Sequence, residues 1–445
     1  VGCEPLILVI ETAAGTVIRR IPDASPLPDA ATQGYAAEDA VRDAAATWGL
    51  PDFVFPPEQQ RTGSGTRELG DGLLLVGGHA AVVQSKSRVG PTDKRERELS
   101  WLNKNVTKAL SQGSGTVRRL KLAAAAMTNA RGRTIQVAGE DYEWLTVVVI
   151  DHADPPRGYL PPPAPTDVPA IVILRRDWEF LFDHLRSTRA VLAYLMRAAG
   201  GDAVELGDEP RRYHEYTLAD IEAIPGAVDP EVASLLDAKP WETLSVARAP
   251  LHPAGHDEQA PHVMLRMIME DVAETPIPEG RDADLLLMLA ALDGLPVEHR
   301  TELGRTLIRF IESAAQHTKP GTLIHSRTVV PSPGDFTPLQ FVVASRLSEE
   351  ARDALLIRLQ VLHHDYSTAI GDWEHCTLGV MLTPSTAPGR LWDTSTTALW
   401  GDQELAPEVI EEARALINEA ASRAASANED HDPGTSPGAD SNPDS

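Results

Sequence analysis

Residues 67–88, RELGDGLLLVGGHAAVVQSKSR, decide the reading of the fold. Two apolar runs, LLLV (73–76) and AAVVQSK (80–86), stand either side of Gly77-Gly78. A two-residue hairpin turn needs backbone that glycine adopts without steric cost, so paired glycines between apolar runs predict a hairpin. With those glycines as the turn, opposed residues carry numbers that sum to 155, which sets Asp71 opposite Gln84 at a Cβ separation of about 5.5 Å. Lys86 shares their face because strand side chains alternate. Moving the turn by one residue at both ends keeps the parity. The expectation is a carboxylate, an amide oxygen and an ammonium on one spot at the mouth of a buried hairpin.

Working outward, residues 36–48 (AAEDAVRDAAATW) read as a helix stopped by Gly49-Leu50-Pro51. Residues 98–121 read as mainly helical, with Leu99, Leu102, Val106 and Ala109 at core spacing and Gln112-Gly113-Ser114-Gly115 as an interruption. Strands follow at 134–138 and 145–150 (LTVVVI), so the region runs α-β-β-α-β-β. Upstream, 6–11 and 16–21 read as a hairpin around Ala13-Ala14-Gly15, joined to the rest by a Pro-rich linker.

Downstream, six prolines between Pro155 and Pro165 mark a boundary. A strand at 169–174 and one long helix from Asp177 to about Arg197 come next. The middle, ~215–318, is mostly helical, with stretches at 262–273, 282–292 and 297–316. Strands at 321–330, 338–346 and 376–383, a helix at 348–364 and a last helix at ~406–427 close the chain. The expected class is α/β: a hairpin and linker (1–35), an α-β-β-α-β core (36–150), a helical middle with a small C-terminal α/β region (151–427), and a disordered acidic tail (428–445). That tail has five acids and no large apolar side chain.

No apolar run approaches the 18 or so residues of a membrane span, so no membrane partner is expected. Cys3 and Cys376 are the only cysteines, which excludes a disulfide framework or thiolate zinc site and makes a reducing cytoplasm the simplest home. The net charge is −25, yet Lys86–Arg133 holds twelve Lys or Arg against Asp93, Glu96 and Glu98, leaving −34 elsewhere. A basic island in an acidic chain points to a localised polyanion site, against the alternative of an ordinary solvated helix face. Arg97, Lys104 and Lys108 fall at offsets 0, 7 and 11, one helical stripe, opposite the apolar positions. With Arg88 they are the candidate phosphate contacts, sequence-independent and salt-sensitive. Lys94, Arg95, Arg118, Arg119 and Lys121 extend the zone. Pairing of the stripe with the chain's own acidic C-terminal half is the alternative.

The Asp71–Gln84–Lys86 trio suits metal-assisted phosphodiester cleavage. Magnesium takes hard oxygen ligands, commonly one or two carboxylates completed by water and phosphate oxygens. Asp71 is the expected main ligand, Gln84 a neutral second and the Ser85 carbonyl a third. The ion, Mg²⁺ or Mn²⁺, would polarise the phosphate and acidify water. Lys86 would orient that water or stabilise charge on the phosphorane. Glu38, on the preceding helix, would complete the site; Glu68 is the weaker candidate, as it falls on the opposite strand face. Against this, Gly70-Asp71-Gly72 could be no more than a turn.

The stretch 67–88 resembles the core of the PD-(D/E)XK restriction-endonuclease-like superfamily: an acidic residue on one strand, then an acidic residue or Gln, any residue and Lys on the next. An acidic helix before it (Glu38, Asp39) and a Trp-containing helix after it (ELSWLNKNVTKAL, 98–110) fit the pattern. ELGDGLLLVGGHAAVVQSKS is more specifically similar to the ELCD-type hairpin of uncharacterised bacterial nuclease-like proteins. In that group a stretch like 171–198 also recurs. The resemblance covers roughly 36–150 and implies a magnesium-dependent endonuclease, with DNA a better expectation than RNA. It admits a homodimer, since cutting both strands commonly takes two copies, although no dimerisation signature appears. Gln84 departs from the pattern by removing a charge. A catalytically inactive relative that binds nucleic acid or a protein is therefore the alternative. His363-His364, His375-Cys376 and TGSGT (62–66) lack ligand or phosphate-loop spacing and carry no expectation.

Overall fold

A computed structural model describes residues 6–12, 15–28, 33–57, 59–62, 65–68, 72–222, 253–277, 280–330, 337–373 and 375–429. The elements in chain order are β1 (Leu6–Thr12), β2 (Gly15–Ile21), α1 (Gln33–Trp48), β3 (Val54–Phe55), β4 (Gln59–Thr62), β5 (Gly65–Glu68), β6 (Gly72–Val76) and β7 (His79–Ser87). Then come α2 (Arg95–Leu122), β8 (Ala125–Thr128), β9 (Thr134–Val137), β10 (Glu143–Asp151), β11 (Ala170–Leu174), α3 (Arg175–Leu185), α4 (Thr188–Ala199) and α5 (Glu209–Glu222). The remainder holds α6 (Gln259–Glu274), α7 (Asp282–Asp293), α8 (Val297–Ala315), β12 (Ile324–Val329), β13 (Leu339–Ala344), α9 (Glu349–Ile370), β14 (Cys376–Pro384), β15 (Trp392–Trp400) and α10 (Pro407–Glu429). The chain is mixed α/β.

The first large sheet has the order β11-β10-β7-β6-β3. β3, β6 and β7 form an antiparallel meander, and β7, β10 and β11 are parallel. Gly77 turns the β6–β7 hairpin at φ 56°, and the pairs from Gly72↔Val83 to Val76↔His79 have the expected register. β10 lies between two parallel neighbours, which is why its apolar run does not alternate: Val147, Val148, Val149 and Ile150 are all buried. Around this sheet the order is α1, three antiparallel strands, α2, and a strand parallel to the third.

The two faces are covered by different helices. Ala81 and Val83 pack with Val41 and Ala45 of α1 and Trp178 of α3. Ala80 and Val82 pack with Val117 and Leu120 of α2, and Val148 and Ile150 with Leu102, Val106 and Leu110 of α2.

Four expectations change. The proline-rich loop at 155–165 is not a domain boundary. It runs back along α2, with Tyr159 packed beside Leu102 and Val106, and delivers β11 to the same sheet. The single long helix over 177–197 is two helices, broken at Arg186 (φ 51°), with Ser187 capping α4 by accepting from Ala190 N. Gly113 does not interrupt α2; a Cβ there would stand 2.3 Å from Thr146 Cγ2, so glycine lets the helix approach β10. Finally β3, β8 and β15 are strands that short or polar sequence left unmarked.

The second large sheet, β12-β13-β14-β15, contains a parallel β13–β14 pair joined through α9. One continuous core runs from Val41, Ala81 and Trp178 through Leu289 and Leu307 to Phe341 and Leu378, so the two sheets share apolar packing. No helix among the described residues is long and apolar enough to cross a membrane.

Candidate functional site

β7 carries the candidate residues outward toward its carboxyl end. Gln84 pairs across the ladder with Val148, Lys86 with Ile150. In-register neighbours of parallel strands share a face, so Gln84 and Lys86 look toward α2. Gln84 is 1 % exposed, and its Nε2 makes only a marginal 3.5 Å contact with Val83 O. Lys86 is half-buried, and its Nζ donates to Ser85 O at 2.8 Å. The Ser85 carbonyl expected as a third metal ligand therefore already accepts that hydrogen bond.

Asp71 lies outside the described residues, so the expected Asp71–Gln84 opposition rests on the register that reaches Gly72↔Val83. Glu68 is not a continuation of β6. It ends β5, paired with Gln59 in a separate two-stranded sheet.

Glu38 is not brought onto the Gln84–Lys86 face. With Arg42, Gly72, Val83, Ser85 and Trp178 it lines a small cleft on the α1 side of the sheet. The reason is parity: α1 covers the odd-numbered positions of β7, and Gln84 and Lys86 are even. Beyond that cleft, Asp151 at the end of β10 accepts from Ser87 Oγ (2.8 Å), Arg175 Nε (2.9 Å) and Gln33 Nε2 (3.4 Å). It ties α1, α3 and two strand ends together. Sequence offered only a weak signal for it, an acid closing an apolar run.

Arg88 is engaged by a buried carboxylate. Its Nε and Nη2 both donate to Glu98 at 2.8 Å, and its guanidinium lies 5.6 Å from the Trp101 ring centroid. Glu98, buried in the first turn of α2, also accepts from Thr92 N and Thr92 Oγ1 at 2.9 Å and stands 3.1 Å from His152 Nε2. The Arg88 guanidinium first, then the Thr92 N–H, hold the Glu98 carboxyl well below the usual carboxylate range. This clamp fixes the loop between β7 and α2.

Other members of the basic island are similarly committed. Arg131 Nε and Arg133 Nη1 each reach Asp52 at 2.5 Å, and Arg95 donates to Arg157 O. By contrast Arg97, Lys104, Lys108 and Arg118 are exposed on α2 and make no ion pair among the described residues. Their pairing with the acidic C-terminal half is thus not seen among those residues.

No group of three or more His, Cys, Asp or Glu that could hold a metal occurs among the described residues. The expected donor set, Asp71 and Gln84, is of another kind, one carboxylate and one amide. These are hard oxygens of the type magnesium accepts, one charge short of the usual pair. Compared with protein-family models, curated proteins and solved structures, the chain finds no match.

Proposed function

We propose that the sheet β11-β10-β7-β6-β3 with α1 and α2 is a nuclease domain of PD-(D/E)XK type that cleaves nucleic-acid phosphodiesters. The observation that carries the reading is the placement of Gln84-Ser85-Lys86. This segment lies on the third strand of an α-β-β-β-α-β unit, beside the hairpin end that leads to Asp71. Magnesium would supply Lewis-acid polarisation of the phosphate there. Asp71 and Gln84 would hold it, and Lys86, on the Gln84 face, would place an ammonium beside the developing negative charge. Val148 and Ile150 of β10 flank Gln84 and Lys86 on that face and pack with Leu102 of α2.

A second reading, a catalytically silent nuclease-like binder, is favoured by one observation. Gln84 is neutral and almost wholly buried, and Glu38 lies across the sheet from it. Plasmid and single-stranded substrates with Mg²⁺ or Mn²⁺ distinguish the two. The nuclease reading expects metal-dependent nicking that falls by at least 10²-fold (on the order of 3 kcal/mol) in both Asp71→Ala and Lys86→Ala. Wild-type protein that binds but never cuts establishes the silent binder instead.

A further inference from the structure

α2 is 28 residues long and unbroken, a helix of about 42 Å. Its inner face is apolar, with Leu102, Val106, Ala109, Leu110, Val117 and Leu120 buried. On the outer face the residue angles follow from 100° per residue. Arg97, Lys104 and Lys108 fall within about 20° of one line, and Arg118 about 60° to its side. Ser111 and Gly115 lie between them, and a Cβ on Gly115 would meet nothing within 4 Å. Residues 99–122 contain no Asp or Glu, in a chain whose net charge is −25. This is a row of exposed cations with no acid on the helix beyond its first turn, where Glu96 and Glu98 stand.

The geometry points to this outer face of α2 as a docking track for the phosphate backbone of duplex nucleic acid. The inference deepens the nuclease reading by naming a duplex as the partner, but it does not require the metal centre. Charge complementarity selects a polyanion, and length selects a duplex: the row from Arg97 to Arg118 spans about 32 Å, close to one helical turn of about 34 Å. A single strand is commonly held by stacking its bases on exposed aromatic rings. The only aromatic on α2, Trp101, is edge-on to His152 at 5.9 Å and lies beneath Arg88, so it offers no platform. Lysine and arginine spaced along a helix surface touch phosphates without reading bases, so the track is sequence-independent.

The test is equilibrium binding of a fluorescent 24-base-pair duplex of arbitrary sequence, in EDTA, over a salt series. The full chain is compared with Lys104→Glu/Lys108→Glu and with Lys319→Glu, an exposed charge reversal remote from α2. Four phosphate contacts predict a log–log salt slope of about −3 to −4. The double variant should lose at least tenfold in affinity and flatten the slope by about 2, while Lys319→Glu stays within about twofold. A single strand of the same length should bind more weakly. Equal loss in Lys319→Glu, tighter binding of the single strand, or no duplex binding overturns the proposal. So does lysine-dependent capture by anionic phosphatidylglycerol vesicles without duplex binding. Because EDTA removes metal chemistry, failed cleavage with intact lysine-dependent binding sinks only the nuclease reading. Cleavage with lysine-independent binding sinks only this track.

Discussion

Asp177, in the first turn of α3, is wholly buried, and burial pushes its carboxyl up to about 7 against the partial relief of Arg176. Its Oδ2 has no hydrogen-bond partner, and Oδ1 has Arg176 Nε at 3.3 Å. A raised folded-state value means the folded protein keeps a proton that the unfolded chain has lost. Stability from this group is therefore intact below the ordinary value near 4 and declines as pH rises toward 7. Asp177→Asn carries no such dependence. Its stability relative to wild type should rise between pH 4 and 7 and stay level above, by a few kcal/mol and at most ~4. Urea unfolding at four pH values measures this; a difference that is flat across the window would contradict it. At the same scale, Arg88 shows why a basic residue near a site is not a ligand by default. Glu98 takes the Nε–Nη2 edge of its guanidinium.

Helix α2 depends on a contact that helix propensity alone would oppose. Alanine is favoured over glycine in a helix interior by about 1 kcal/mol. At Gly113, however, the added methyl would meet both Thr146 Cγ2 at 2.3 Å and Thr146 Oγ1 at 2.9 Å. Thr146 is fully buried on β10, between two parallel neighbours. Gly113→Ala should thus destabilise by about 1–3 kcal/mol despite its better propensity. Thr146→Ala in the same chain should recover more than half of the loss, a coupling visible in a double-mutant cycle. Independent, additive effects would show that α2 does not press on β10 there. The hairpin β6–β7 was readable to the residue from Gly77-Gly78 because the turn sets the register. The break at Arg186 was readable only in part, since Ser187 is a cap signal but a left-handed arginine has none.

Across the molecule, the β8–β9 turn is locked to the helical middle through Asp52. That carboxylate, 0 % exposed, receives Arg131 and Arg133, which continue to Glu270 and the Ala273 carbonyl of α6. Removing one member of a buried ionic cluster leaves uncompensated charge and typically costs about 3–5 kcal/mol. Asp52→Ala should lower global stability by that order in urea unfolding. A loss below about 1 kcal/mol would mean the arginines find solvent instead. The same cluster explains why the basic island of the sequence is smaller in space than in the chain. A count of charges cannot tell which cations face inward.

Sequence by itself determined the local units: the hairpin and its register, the helices of apolar periodicity and the buried run of β10. It also placed Gln84 and Lys86 on one face. Each of these follows from steric and hydrophobic rules acting within a few residues. Tertiary structure decided what those rules cannot reach. It joined β11 to the first sheet across a proline-rich loop and put Glu38 behind the sheet from Gln84. It also spent Arg88, Arg131 and Arg133 on buried carboxylates while leaving Arg97, Lys104, Lys108 and Arg118 exposed. The physical reason is that the side of a sheet a helix covers, and the partner a charge finds, depend on contacts between residues tens to hundreds of positions apart.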